Sequence, residues 1–97
     1  MKGKTTPLLA DCPEKSRFSA VNGTVFRNYA ELLDGLKRMD DTTFRHHVNE
    51  GRNDFLNWVL HVYSDEKLAK DFEARPTRIH MAQNVSRRLR SLAEQHG

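Results

Sequence analysis

Apolar positions along this chain keep one of two rhythms. From residue 29 onward they fall three or four apart, the spacing that lines one face of a helix. Leu32, Leu33, Leu36 and Met39 share such a face and predict a helix over about 29–39, with Asn28 placed as its N-cap and Glu31 completing a capping box. Asp40-Asp41-Thr42 stops that helix and opens a second over about 42–49, with Phe44 and Val48 inward. Gly51 is placed as the residue just past the end of the second helix, and Asn53 as the N-cap of a third over about 54–63. Phe55, Trp58, Val59 and Val62 give this third helix its apolar face.

Ser64 is placed to cap a fourth helix, about 65–74, whose Asp65 and Glu66 sit favourably against its dipole and whose apolar positions are Leu68, Ala69 and Phe72. Pro76-Thr77 separates it from a last helix over about 78–94, where Ile79, Ala82, Val85, Leu89 and Leu92 form a narrow stripe.

Before residue 29 the rhythm differs. Phe18 to Phe26 holds two short β-prone segments around Asn22-Gly23, which predicts a hairpin closed by a type I′ turn with positive φ at both central residues. A lone hairpin is marginal in water, so it must lie on the helices, with Phe18, Val21, Val25 and Phe26 as contacts. The expected fold is therefore all-α: a compact orthogonal bundle of four to five short helices carrying a small N-terminal β-hairpin. Residues 18–95 form that single helical domain, and residues 1–17, with two prolines and three lysines, form a flexible or loosely docked tail.

Size is compatible with this. A chain of 97 residues buries about 65% of its extended surface, enough for one core without metals or disulfides. The single cysteine, Cys12, excludes an intrachain disulfide and fits a reducing compartment; beside Pro13 in the tail it reads as an incidental exposed thiol. No apolar run approaches the roughly 20 residues needed to span a bilayer, and the N-terminal lysines precede no apolar signal region. The expectation is a cytoplasmic protein with no membrane partner.

Candidate chemistry gathers between the second and third helices. Adjacent helical residues diverge by about 100°, so only one of His46 and His47 can face inward. Phe44 and Val48 select His47. The next helix starts after a tight break, which predicts a bond from His47 to Asp54 or Asn53 that satisfies the imidazole and fixes the joint, with Trp58 beneath it. A metal site using His46 or His47, Asp54 and His61 lacks the spacing that places two ligands on one helical face. Acid–base catalysis by His47 with Asp54 as its orienter lacks a nucleophile, a phosphate loop or a second carboxylate. No catalytic residue, metal or cofactor is assigned.

Charge is mildly basic, net +3, but unevenly placed: Arg75, Arg78, Arg87, Arg88 and Arg90 fall within 75–90 without an acid. Arg78, Arg87, Arg88 and Arg90 are the candidate surface for a partner or for a phosphate backbone. The opposing reading is a solvated face partly neutralised by Asp65, Glu66, Asp71 and Glu73. No aromatics interleave the arginines and no helix-turn-helix or zinc-finger spacing occurs.

One wider pattern is present: Gly23, Glu31-Leu32, Phe44-x-x-His47-Val48, Asn53-Asp54-Phe55-x-x-Trp58, and Asp65-x-x-Leu68-Ala69. Over about residues 18–93 it resembles a small prokaryotic helical domain family of unknown function. The resemblance implies that His47, Asn53, Asp54 and Trp58 form a unit, and it implies no activity. The leading functional expectation is a non-enzymatic cytoplasmic module that contacts a protein partner or a second copy. Non-specific nucleic-acid binding through the last helix comes next, and a metal-dependent or acid–base enzyme at His47 and Asp54 third.

Overall fold

Each of the first four helices opens on a side chain that accepts an otherwise unpaired backbone N–H, and these caps set the chain's segmentation. The structure, a computed structural model, describes residues 6–96 of the chain. Asn28 accepts from the Glu31 N–H and starts α1 (Tyr29–Arg38); Asp40 accepts from the Thr43 N–H and starts α2 (Asp41–His47). Asn53 accepts from the Leu56 N–H and starts α3 (Asp54–Tyr63); Asp65 accepts from the Leu68 N–H and starts α4 (Glu66–Ala74). The last helix, α5, runs Arg78–His96.

Two of these starts differ from the sequence expectation. Asp65, not Ser64, caps α4, because its carboxylate reaches the Leu68 N–H while Ser64 turns the chain in the left-handed region, φ 54°, at the end of α3. The capping box at α1 is also offset, since the Glu31 carboxylate accepts from the Arg27 N–H, one residue before the cap.

The expected hairpin is present as β1 (Phe18–Ser19) paired antiparallel with β2 (Val25–Phe26), in the register Phe18↔Phe26 and Ser19↔Val25. Its turn is not type I′. The Gly23 N–H bonds the Ala20 carbonyl, the Ala20 N–H bonds the Thr24 carbonyl, and only Gly23, at φ +93°, is left-handed. This is a three-residue loop ending on a glycine in positive φ. The same geometry turns Val21 and Val25 outward, 56% and 45% exposed, so Phe18 and Phe26 alone carry the hairpin's large apolar contacts.

A second two-stranded sheet replaces the expected end of α2. The helix stops at His47, and β3 (Val48–Asn49) pairs with β4 (Arg52–Asn53) around Glu50-Gly51. The Asn49 side chain holds this turn: its amide donates to the Arg45 carbonyl at 2.9 Å and its oxygen accepts from the Gly51 N–H at 2.9 Å. Gly51 is therefore a hairpin residue and not a helix terminator. With two small sheets beside its helices, the chain is mostly rather than purely α.

In the core, α1 packs on α5, α4 lies between α5 and α3, and β2 lies against α1. Tyr29, Leu32 and Leu36 of α1 meet Phe55, Val59, Leu68, Phe72, Met81 and Val85, all fully buried. The hairpin closes on α1 at Gly35, where a Cβ would overlap the Phe26 ring. Along α5 the buried line is Met81, Val85 and Leu92, while Ile79, expected inward, is 62% exposed. The physical reason is rotation: Ile79 stands about 160° around the helix from Met81.

Residues 6–17, expected as a tail, are tied to the helices. A 3-10 turn spans Glu14–Ser16, the Ser16 carbonyl accepts from the Trp58 indole at 2.8 Å, and the Cys12 N–H donates to the Arg27 carbonyl at 2.8 Å. Cys12 is therefore buried, correcting its reading as an exposed thiol, and burial pushes its thiol pKa up and keeps it protonated.

Gly35→Ala is expected to lower stability by about 1–3 kcal/mol, because the added methyl must displace the Phe26 ring. Gly51→Ala, whose new Cβ meets only the Asn49 side-chain oxygen at 3.6 Å, should stay within about 0.5 kcal/mol of the parent. Urea melts on both variants measure the contrast, and equal losses would place Phe26 off the helix.

Candidate functional site

Two polar clusters and one groove stand out, and they divide the residues singled out by sequence between them. The first cluster is the joint of α2 and α3. His47 is 5% exposed; its Nδ1 lies 2.9 Å from Asp54 Oδ2, and its Nε2 accepts the backbone N–H of Val21 at 3.0 Å. An acceptor at Nε2 fixes the neutral tautomer with the proton on Nδ1, donated to the carboxylate. Arg52 adds bonds from Nε at 3.1 Å and from its terminal nitrogen at 2.8 Å to the same Asp54 oxygen.

Burial pulls the Asp54 carboxyl upward, but the bonds from His47 and Arg52 outweigh it and hold the group below its usual range. A histidine oriented by a carboxylate resembles half of a catalytic triad. Here the nitrogen that would act as base is already occupied by the Val21 N–H, so the pair ties the hairpin tip to the helix joint.

The expected bond between His47 and Asp54 is thus formed, while the rest of the predicted cluster is dispersed. Asn53 turns to cap α3. Trp58 is not beneath the pair: the apolar rings against His47 are Phe18 at 5.2 Å and Phe55 at 5.5 Å, and Trp58 reaches Phe18 at 6.1 Å and Tyr63 at 5.4 Å. His46 projects outward and is exposed. Among the described residues no group of three or more His, Cys, Asp or Glu side chains gathers as a metal site.

The second cluster escaped the sequence reading. Asp65, 3% exposed, accepts from the Tyr29 hydroxyl at 2.8 Å, from Arg88 at 3.0 and 3.1 Å, and from the Leu68 N–H at 3.1 Å. The Arg88 side chain is only 14% exposed. It is a fork-on-carboxylate pair joining α4 to α5 and corrects the assignment of Arg88 to an open surface. The signal was present in the sequence, because Met81, Val85, Arg88 and Leu92 follow one helical line. Arg78 is also partly committed. One terminal nitrogen donates to the Leu36 carbonyl at 2.9 Å and lies 3.3 Å from that of Lys37, at the end of α1. Its Nε stands 3.7 Å from Asp41 Oδ1.

What remains open is a groove between α1 and α5 of about 500 Å³. Lys37, Arg78, Arg87 and Arg90 line it with Ile79 and Ala82, and no carboxylate contributes. Among the described residues Arg87 bonds the Asn84 side chain, at 3.1 Å, and neither it nor Lys37 nor Arg90 has an ion pair. The groove therefore presents cations around an exposed branched aliphatic side chain.

Two measurements check the clusters. Arg88→Met, which leaves the Asp65 carboxylate buried without its cation, should cost about 3–5 kcal/mol in a urea melt, and Arg88→Lys should recover only part of it. A loss below ~1 kcal/mol would mean that Asp65 is hydrated. At Asp54 the native state binds its proton less tightly than the unfolded chain does. Its contribution is full above the ordinary carboxylate value of about 4 and is lost as pH falls through the lower native value. Asp54→Asn should therefore flatten the acid side of a stability-against-pH curve, and an unchanged curve would rule out the bond.

No protein-family model, curated protein or solved structure matches this chain, and the functional reading rests on the geometry above.

Proposed function

We propose that this chain is a non-enzymatic cytoplasmic module that acts by contact with a protein partner along the α1–α5 groove. The observation that carries the reading is the placement of Ile79 and Ala82 amid Lys37, Arg78, Arg87 and Arg90. An isoleucine that is 62% exposed on a helix otherwise packed inward leaves apolar surface that a side chain of a partner can cover. The surrounding cations steer an acidic partner and fix its register more than they add affinity. The occupied Nε2 of His47 supports a binding role over acid–base chemistry at that position. Among the described residues no helix is long and apolar enough to cross a membrane.

The second reading is non-specific nucleic-acid binding through the same groove, favoured by Arg90 and Lys37, which make no ion pair among the described residues. It ranks lower because two of the four arginines of α5 are engaged inside the fold, Arg88 by Asp65 and Arg78 by the end of α1. The groove also offers an aliphatic floor where stacking on bases calls for aromatic rings.

Immobilised protein, exposed to nuclease-treated lysate, is expected to retain protein partners that the Ile79→Asp and Arg87→Glu variants lose. Retention that survives both substitutions places the contact elsewhere. A gel-shift titration separates the second reading: binding that weakens steeply with salt and vanishes in Arg87→Glu/Arg90→Glu supports it over the first.

A further inference from the structure

The chain carries a second apolar cleft, on the side of α4 away from α5. It lies between α3 and α4, encloses about 390 Å³, and is lined by Leu56, Leu60, Glu66, Ala69, Lys70 and Glu73. Leu56 and Leu60 are half-buried, and Glu66 and Glu73 are exposed without an ion pair among the described residues. Two carboxylates and one ammonium leave this face net negative, 1 − 2 = −1, against a groove lined by four cations and no carboxylate.

The two faces are also complementary in character. Glu66 and Glu73, seven residues apart on one side of α4, place exposed carboxylates beside the Leu56–Leu60 pair. Arg87 and Arg90 are exposed beside Ile79 and Ala82 and make no ion pair among the described residues. Charge is thereby set against charge while aliphatic side chains meet beside it.

We propose that the occupant of the α1–α5 groove is a second copy of this chain, presenting its α3–α4 face head to tail. This rests on the reading of the groove as a protein-contact surface and adds the identity of the partner. Because different patches meet, the contact is heterologous and repeats: a pair still offers one free groove, on one copy, and one free acid-rimmed face, on the other. Growth beyond a dimer is therefore built into the arrangement. A contact rimmed by exposed charges is screened by salt, so association is concentration-dependent and weakens as ionic strength rises.

Sedimentation velocity on the full chain tests this with two variants. Arg87→Glu/Arg90→Glu cancels the positive charge of the groove, leaving two cations against two carboxylates, and keeps the acid-rimmed face; Glu66→Lys/Glu73→Lys makes that face basic and keeps the groove. All four positions are exposed, and circular dichroism melts confirm that each variant folds. The wild type should sediment faster as concentration rises and return toward monomer in high salt. Each variant alone should be monomeric, and an equimolar mixture should form heavier complexes, because the intact acid-rimmed face of one variant meets the intact groove of the other. A wild type that is monomeric at every concentration overturns the proposal, as does a mixture no heavier than its components. If the mixture fails while Ile79→Asp still abolishes retention of lysate proteins, the groove serves a different protein. In that case this proposal falls and the partner-binding reading stands.

Discussion

The carboxylate of Asp65 is the constraint on which the arrangement of the long helices depends. Removing a charge from water costs several kcal/mol, and only dense hydrogen bonding offsets it. The donors come from three directions: the first turn of α4 itself, Tyr29 of α1 and the guanidinium of Arg88 on α5. A hydrophobic face tolerates rotation or sliding by a fraction of a turn with modest loss, whereas this carboxylate loses a donor with any such shift. The cluster therefore fixes the register of α1 and α5 against the start of α4, a selection that apolar packing alone makes only loosely.

From the same point the order extends to the N-terminal segment. Tyr29 packs at 4.7 Å, rings tilted, against Tyr63, whose hydroxyl lies 2.9 Å from the Ala10 carbonyl and 3.1 Å from that of Arg27. Burial and the neighbouring carboxylate push the Tyr29 phenol well above its ordinary range, so it stays a donor. The His47 joint does for the hairpin what Asp65 does for the helices. Here the bonds run from the Val21 backbone through the imidazole to Asp54 and Arg52, so the turn of the β1–β2 hairpin is held by side chains distant in sequence. Phe18, between the two regions, contacts Phe26, Phe55, His47 and Trp58.

What sequence made legible follows the range of the interaction. Caps act within three residues: Asn28 and Asn53 are readable as such, and the run Asp40-Asp41-Thr42 marks the start of α2, as the short break before Asp54 marks its meeting with His47. The second sheet was missed because Val48-Asn49 and Arg52-Asn53 are too short to show an alternating pattern, so Gly51 looked like a helix terminator. Cys12 and the docked N-terminal segment were missed because their partners, Arg27, Tyr63 and Trp58, are non-local. On α5 the error was one of phase. A stripe anchored at Ile79 turns Arg88 outward, while one anchored at Met81 puts Arg88 on the buried line with Val85 and Leu92.

That phase also decides which cations remain available to a partner. A helix with arginines spread around it must send some inward, and an inward arginine survives only where a carboxylate with matching geometry is already fixed. Asp65 supplies one, positioned by its own duty as a cap, and Arg88 is consumed there. Arg78 is partly consumed by the carbonyl end of α1, where a cation is favoured in any case. Arg87 and Arg90, away from that carboxylate, meet none among the described residues and share their groove with Ile79. The basic character of this surface is therefore a residue of how the interior was neutralised: the arginines that the fold does not use for its own joints are the ones left facing outward beside an uncovered aliphatic side chain.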